Sequence, residues 1–228
     1  MSSETRKRQK LVICISGLTA CGKSTVAKSL AKKYGLKYIS GGEILKAMAA
    51  EEGFKVSGDG WWETEQGTRF LKERMEKPDF DRMVDARLLE AAKKGGVILD
   101  SWTMPWLFDG GFKIWLEASR EMRAKRLSVR DGLSYDEALR ILDRKDETTR
   151  RIYAKLYGFK LGFDLSPFDL ILNVDNLSRD EVFHTLTQVI DRLLLGENVD
   201  DPLLIDEVIS LRKRIPKKRE EGENSCQS

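Results

Sequence analysis

The feature that most constrains this chain is a short stretch, "GLTACGKST" from Gly17 to Thr25, lying directly after the apolar run "LVICIS". It fits the pattern G-x-x-x-x-G-K-[ST] as Gly17, four residues, Gly22, Lys23 and Ser24. Such a loop works only between a buried strand and a helix. Its glycines let successive backbone N–H groups converge on phosphate oxygens, and the helix N-terminus adds its positive partial charge. Both flanks meet that condition. Residues 11–16 form a continuous, partly β-branched apolar run of the kind that buried parallel strands show. After the loop, Val26, Ala27, Leu30, Ala31 and Tyr34 recur at helical spacing and Gly35 supplies a stop.

In that frame Gly17, Leu18, Thr19, Ala20, Cys21, Gly22, Lys23, Ser24 and Thr25 are expected to wrap the phosphates of a nucleoside triphosphate. Lys23 reaches the β and γ phosphates, and the Ser24 hydroxyl joins the shell of Mg²⁺. Asp100 closes the apolar run "GVILD", at the strand end where phosphate-loop enzymes carry an acidic residue that holds Mg²⁺ directly or through water.

Four more short apolar runs follow: "LKYIS" (36–40), "GVILDS" (96–101), "FKIWLEA" (112–118) and "LILNVD" (170–175), with helical stretches between most of them. The rhythm predicts an α/β fold: the three-layer phosphate-loop NTPase architecture, with a five-stranded parallel sheet and helices on both faces. The helix after Pro78 reads with Phe80, Met83, Val84, Leu88 and Ala91 on one buried face. The last helix opens with the capping-box pattern "SRDE", Ser178 to Glu181, and is expected to bury Val182, Leu186, Val189, Ile190 and Leu193.

Two segments leave this rhythm. Residues 41–78 form a long mixed insert, which runs to residue 94 once the helix after Pro78 is counted with it. Residues 126–160 are dense in charge, with Arg126, Arg130, Arg140, Arg144, Arg150 and Arg151 at helical spacing. A transferring phosphoryl group spreads negative charge over its oxygens, so a mobile group of arginines folding over it stabilises the transition state and excludes water. As a group these residues read as a lid; taken singly, each also fits a solvated helix laced with salt bridges.

Composition narrows the partners. The chain has 40 Lys and Arg against 37 Asp and Glu, a balance that does not call for nucleic acid, and its basic blocks "RKRQK" and "RKRIPKKRE" read as solvated tails. Cys14, Cys21 and Cys226 are odd in number and lack metal-ligand spacing, which fits a reducing cytoplasm. Cys21, inside the loop, reads as a small side chain tolerated where the backbone does the binding, with a redox sensor as the sharper alternative. No apolar run approaches the roughly 20 residues a bilayer requires. His184 sits beside apolar positions of the last helix and receives no catalytic role, while Trp61, Trp62 and Trp102 read mainly as core, with stacking on an acceptor base as the alternative.

Beyond the loop, the chain resembles the nucleoside monophosphate kinases, and among them the archaeal type of cytidylate kinase. The similarity runs from about residue 11 to about 190, through "ISGGEI", "PDFDRMVDARLLEAAKKGGVILD", "FKIWLEASREMRAKRL", "RRIYAKLYG" and "FDLILNVDNLS". The resemblance implies transfer of the ATP γ-phosphoryl group to CMP or dCMP with Mg²⁺, by a cytoplasmic monomer. It divides the chain into a basic tail (1–10), one kinase domain (11–196) with an acceptor-binding insert (41–94) and a lid (126–160), and a largely disordered extension (197–228). It assigns the acceptor to Lys46, Arg82, Arg87 and Asp100, and the transferring phosphoryl group to Lys23, Arg126, Arg130, Arg144 and Arg151.

Three departures fall on the acceptor side. Ser101 and Trp102 follow Asp100 where the family reads Gly and Arg, Lys46 replaces another Arg and loses its bidentate fork, and the stretch "SGDGWWETEQGTRFLKERMEK" is longer than usual. They leave open a kinase for AMP, UMP or a small metabolite, and an ATP-binding regulatory or RNA-associated protein.

Overall fold

Each of the five strands is one of the apolar runs: β1 (Val12–Ser16), β2 (Lys37–Ser40), β3 (Val97–Asp100), β4 (Phe112–Glu117) and β5 (Leu170–Asn173). All four pairings are parallel, in the order β2-β3-β1-β4-β5. Among the described residues eight helices accompany them: α1 (Lys23–Tyr34), α2 (Gly41–Glu51), α3 (Glu65–Glu76), α4 (Asp79–Lys94), α5 (Met104–Leu107), α6 (Arg120–Asp131), α7 (Tyr135–Tyr157) and α8 (Arg179–Ile190). The computed structural model describes residues 10–77 and 79–196, so the basic blocks at the termini apart from Lys10, the extension from residue 197, Pro78 and Cys226 lie outside the described residues.

Alternation along β1 explains the three layers. Ile13 and Ile15 point into a core shared with Val26, Leu30 and Ala31 of α1 and Val182, Leu186 and Ile190 of α8. Val12 and Cys14 point to the other face, against Met48 of α2, Phe70 of α3 and Phe80, Val84 and Leu88 of α4. With both faces covered, every β1 side chain is buried, which is why the run reads as continuously apolar.

The insert positions hold α2, a 3-10 turn (Asp59–Glu63), α3 and α4, and the lid positions hold the second half of α6 and all of α7. One expectation about α4 fails in detail. Its buried stripe is Phe80, Asp81, Val84, Asp85, Leu88 and Ala92, while Met83 is 50% exposed on the opposite side. Two carboxylates occupy core-facing positions, so the apolar pattern alone misplaced the stripe. Leu193 is likewise exposed, in a π-helical turn (Asp191–Leu195) that follows α8, whereas the capping box at Ser178 and Glu181 forms as read. No described helix is long and apolar enough to cross a membrane.

Candidate active site

The loop after β1 is built so that its backbone faces a void. Gly17 has φ 151°, and a Cβ there would lie 2.6 Å from both the Leu116 carbonyl oxygen and the Cys21 sulfur, so only glycine fits. Gly22, at φ 99°, is the N-cap of α1, and no side chain caps that helix. Helices α2, α3, α6, α7 and α8 each have such a cap, from Ser40, Thr64, Ser119, Ser134 and Ser178. The first turn of α1 also lacks an acidic residue. Its free N–H groups and positive dipole end therefore remain available to an anion.

Strand register brings the acidic partner alongside, since Ile15 pairs with Asp100 across β1 and β3. The Ser24 hydroxyl donates to Asp100 Oδ2 at 2.5 Å, and the Tyr38 hydroxyl donates to the same oxygen at 3.0 Å. Burial first, and then Asp100, raise the Tyr38 phenol well above its ordinary range, so it stays a donor. The Ser24 and Asp100 oxygens are hard donors of the type Mg²⁺ takes, together with water and substrate phosphate.

Cys21 is buried in the loop, and burial pushes its thiol up despite the lowering influence of Lys23. Cys14 is pushed to about 12, chiefly by burial. Both are protonated at neutral pH, which is against a redox sensor at Cys21.

Residues of the loop, of the 41–94 stretch and of α6 and α7 line one cleft of about 1260 Å³. That exceeds the roughly 300–1,000 Å³ usual for a single small ligand. At one end lie Lys28, Arg179 and Phe183; at the other lie Trp62, Leu71, Arg74, Asp81 and Asp85.

The far wall is a buried polar network. Arg74 grips Asp81 with two hydrogen bonds, Nε to Oδ2 at 3.2 Å and Nη2 to Oδ1 at 2.5 Å. Burial alone would lower the Arg74 guanidinium, and Asp81 outweighs it so that the charge is secure. Asp85 accepts from the Thr103 and Tyr157 hydroxyls, each at 2.5 Å. Burial raises its carboxyl to about 6, against the lowering pull of those two donors. Lys46, also buried, reaches Glu43 at 3.2 Å and the Gly58 carbonyl at 3.1 Å. Behind it Trp61 is fully buried, with its N–H on the Lys55 carbonyl at 2.8 Å, and packs against Phe70 and the partly buried Trp62.

On the lid side, Arg126 donates to the Cys21 carbonyl at 3.2 Å and the Val174 carbonyl at 2.6 Å, tying the loop to the end of β5. Arg130 lines the cleft and forks onto Asp131, with both bonds at 2.7 Å. Lys145 also lines the cleft, its ammonium 5.6 Å from the centre of the Trp62 ring. Beneath them Arg123 and Asp146 form a buried pair at 2.6 Å. Arg123 donates to the Thr19 carbonyl at 3.1 Å and Asp146 accepts the Thr19 N–H at 3.3 Å, so the loop is clamped from below.

Comparison with known proteins fits this geometry. Residues 12–176 match the model of the cytidylate kinase-like family. The chain belongs to that family. It is 36% identical over 187 residues to a cytidylate kinase of Pyrococcus horikoshii, covering 82% of this chain and 91% of that one. A cytidylate kinase of Methanopyrus kandleri is 34% identical over 199 residues, covering 82% and 97% respectively. Among solved structures, an uncharacterized protein from Eubacterium ventriosum aligns with a TM-score of 0.52 at 19% identity, over 80% of this chain and 99% of that one, a likeness of fold.

Within this kinase family member, the expected site residues fall into two groups. The cleft brings together the loop from Thr19 to Thr25, Lys46, Asp100, Arg126 and Arg130, while Gly17 and Leu18 lie buried at the loop's base. Four arginines stand outside it. Arg82 is exposed and paired with Asp79 at 3.5 Å, Arg87 lines a separate hollow with Lys37 and Lys94, Arg144 is exposed, and Arg151 pairs with Glu147 on the exposed face of α7. The physical reason is helical phase: one step along a helix turns the side chain by about 100°. Sequence reasoning missed Arg74, Asp81, Asp85, Arg123, Lys145 and Asp146. A mid-helix Asp on a predicted apolar face was the available signal for Asp81 and Asp85, and nothing local distinguishes Arg74 from its solvated neighbours.

Proposed function

We propose that the chain transfers the γ-phosphoryl group of ATP to CMP or dCMP, giving ADP and CDP or dCDP, as a cytoplasmic monomer. The observation that carries this reading is a single cleft, in a chain of the cytidylate kinase-like family, whose one wall is an uncapped phosphate loop and whose other wall is a buried polar network. Transfer requires the two substrates to meet in line while water is kept out, and a cleft walled by loop, insert and lid meets that requirement.

The backbone N–H groups from Thr19 to Thr25 seat the ATP phosphates. Lys23 stabilises charge on the transferring group and Arg130 and Lys145 face it from the lid, while Arg126 flanks the donor side of the loop. Ser24 and Asp100 hold Mg²⁺, which when bound neutralises phosphate charge. Lys46 receives the acceptor phosphate, and Arg74, Asp81, Asp85 and Thr103 present fixed donors and acceptors to the rest of the acceptor. No general base is invoked, because phosphoryl transfer depends on position and charge.

A coupled assay of ADP release with ATP·Mg²⁺ and each of CMP, dCMP, UMP, AMP and GMP tests the reading. CMP and dCMP are expected to give the highest kcat/KM. Release that depends on neither of them would refute it.

A further inference from the structure

Trp102 occupies the position where the resembling kinases read an arginine, and it makes contacts an arginine would not. Its indole N–H donates to the Gly17 carbonyl at 2.6 Å, the first peptide of the phosphate loop. Its ring lies 5.1 Å from the Lys23 ammonium. It also packs against the hydrophobic cluster of Leu18, Ile152 and Tyr153, edge-on to the Tyr153 ring of α7 with ring centres 6.3 Å apart, and Tyr153 in turn lies beside Arg74 and Asp81. The residue is half-buried and lines the cleft. A buried tryptophan finds a partner for its N–H wherever it packs, as Trp61 does on the Lys55 carbonyl, so what marks Trp102 is that its partner is the loop's own Gly17 carbonyl and that the Lys23 ammonium lies over its ring.

The electrostatics separate Trp from Arg at this place. A guanidinium beside Lys23 would repel its ammonium and compete for the same phosphate oxygens, whereas the indole face attracts the ammonium without adding charge. The indole N–H also fixes the carbonyl of Gly17, the residue whose backbone no side chain can enter.

We propose that Trp102 is a positioning residue for phosphoryl transfer. It pins the start of the phosphate loop and gives the Lys23 ammonium a resting place from which it moves onto the phosphates. The departure from the family pattern thus moves this position from the acceptor phosphate to the donor side, and leaves the acceptor phosphate to Lys46 and the lid. This inference rests on the reading of Lys23 as the group that acts on the transferring phosphoryl.

The test is steady-state kinetics of Trp102→Phe and Trp102→Leu, each in the natural chain and in Lys23→Ala. Phe keeps an aromatic face and loses the N–H; Leu loses both. Trp102→Phe is expected to lower kcat about tenfold and Trp102→Leu about a hundredfold, with the KM for CMP within about twofold. In the Lys23→Ala background, Trp102→Phe is expected to keep its cost, which comes from the lost Gly17 bond, while the further step from Phe to Leu, which removes the face under the ammonium, is expected to cost nothing more. Should the Leu variant fail to fold, Trp102→Phe carries the test alone. A kcat of Trp102→Phe within twofold of the natural chain, a Phe-to-Leu loss as large in the Lys23→Ala background as in the natural chain, or a loss confined to the KM for CMP overturns the proposal.

A second readout needs no acceptor. ATP·Mg²⁺ draws the ammonium off the ring, so Trp102→Phe and Lys23→Ala are each expected to lose the same part of the change in indole emission on adding ATP, Trp62 in the cleft supplying any remainder; an undiminished change in either variant overturns the role. Absence of transfer to CMP and dCMP by the natural chain refutes the proposed reaction instead, and the emission measurement still decides Trp102.

Discussion

The Ser24 hydroxyl and the Asp100 carboxylate meet at 2.5 Å, joining the first turn of α1 to the end of β3. This contact puts two hard oxygen donors beside the phosphate seat, supplied by strand pairing on one side and by the helix start on the other. Asp100→Asn keeps an acceptor for Ser24 and Tyr38 and removes the charge. It is expected to leave the thermal midpoint within a few degrees, to lower kcat by about 10²-fold and to raise the Mg²⁺ concentration needed for half-maximal activity. A Mg²⁺ titration of activity checks it, and an unchanged half-maximal concentration would remove Asp100 from the metal shell.

Lys23 makes no ion pair among the described residues and its ammonium lies over the face of the Trp102 ring, so removing it leaves no carboxylate unpaired. Lys23→Ala is accordingly expected to fold normally and to lose about 10³-fold in kcat, because the ammonium acts mainly on charge that develops during transfer. Circular dichroism and single-turnover assays check the two halves of that statement separately. Near-natural turnover would contradict the mechanism.

Gly67 lies within α3, where a Cβ would sit 2.2 Å from the Trp61 carbonyl oxygen and 2.7 Å from the Trp62 Cα. Gly67→Ala must push α3 away from the tryptophan turn, although alanine is the better helix former. The expected result is a loss of about 1–3 kcal/mol in stability and a KM for CMP raised at least about tenfold, with ATP affinity nearly unchanged. Calorimetric titration with each nucleotide checks it; equal weakening of both would mean that the insert does not belong to the acceptor alone.

The loop from Gly17 to Thr25 was legible in the sequence because its geometry is local: the strand and helix that flank it are adjacent runs with strong patterns. The five strands were legible for a related reason, since burial on both faces leaves continuous apolar runs. The far wall of the cleft and the clamp beneath the loop are held by contacts that sequence spacing does not show: Asp85 meets Tyr157 across 72 positions, and Thr19 meets Asp146 across 127. Arg74 and Arg123 sit in charged helical stretches that read as solvated faces until their carboxylate partners are known. On the lid, a single step along α7 separates exposed Arg144 from Lys145 in the cleft, finer than charge composition resolves.

Asp85 gives the acceptor wall a pH dependence whose direction follows from its raised carboxyl. The group ionises at about 6 in the folded chain, against an ordinary 3.8, with burial as the chief cause. Below about pH 4 it is neutral in both folded and unfolded chains. Between about 4 and 6 the unfolded chain loses the proton while the folded chain keeps it, so each rise in pH weakens the fold. Above about 6 the full cost of burying the ion remains, on the order of 3 kcal/mol. Asp143, Glu137 and Glu181 are held low by hydrogen bonds, a contribution of the opposite sign, so the effect must be read as a difference between two chains. Asp85→Asn keeps a side chain able to bond Thr103 and Tyr157. It is therefore expected to be more stable than the natural chain at pH 7.5, with the gain shrinking to nothing by about pH 4. Urea denaturation across that range measures it. A gain that does not change with pH would mean that Asp85 is ionised throughout, held so by Thr103, Tyr157 and Arg74 rather than governed by its burial.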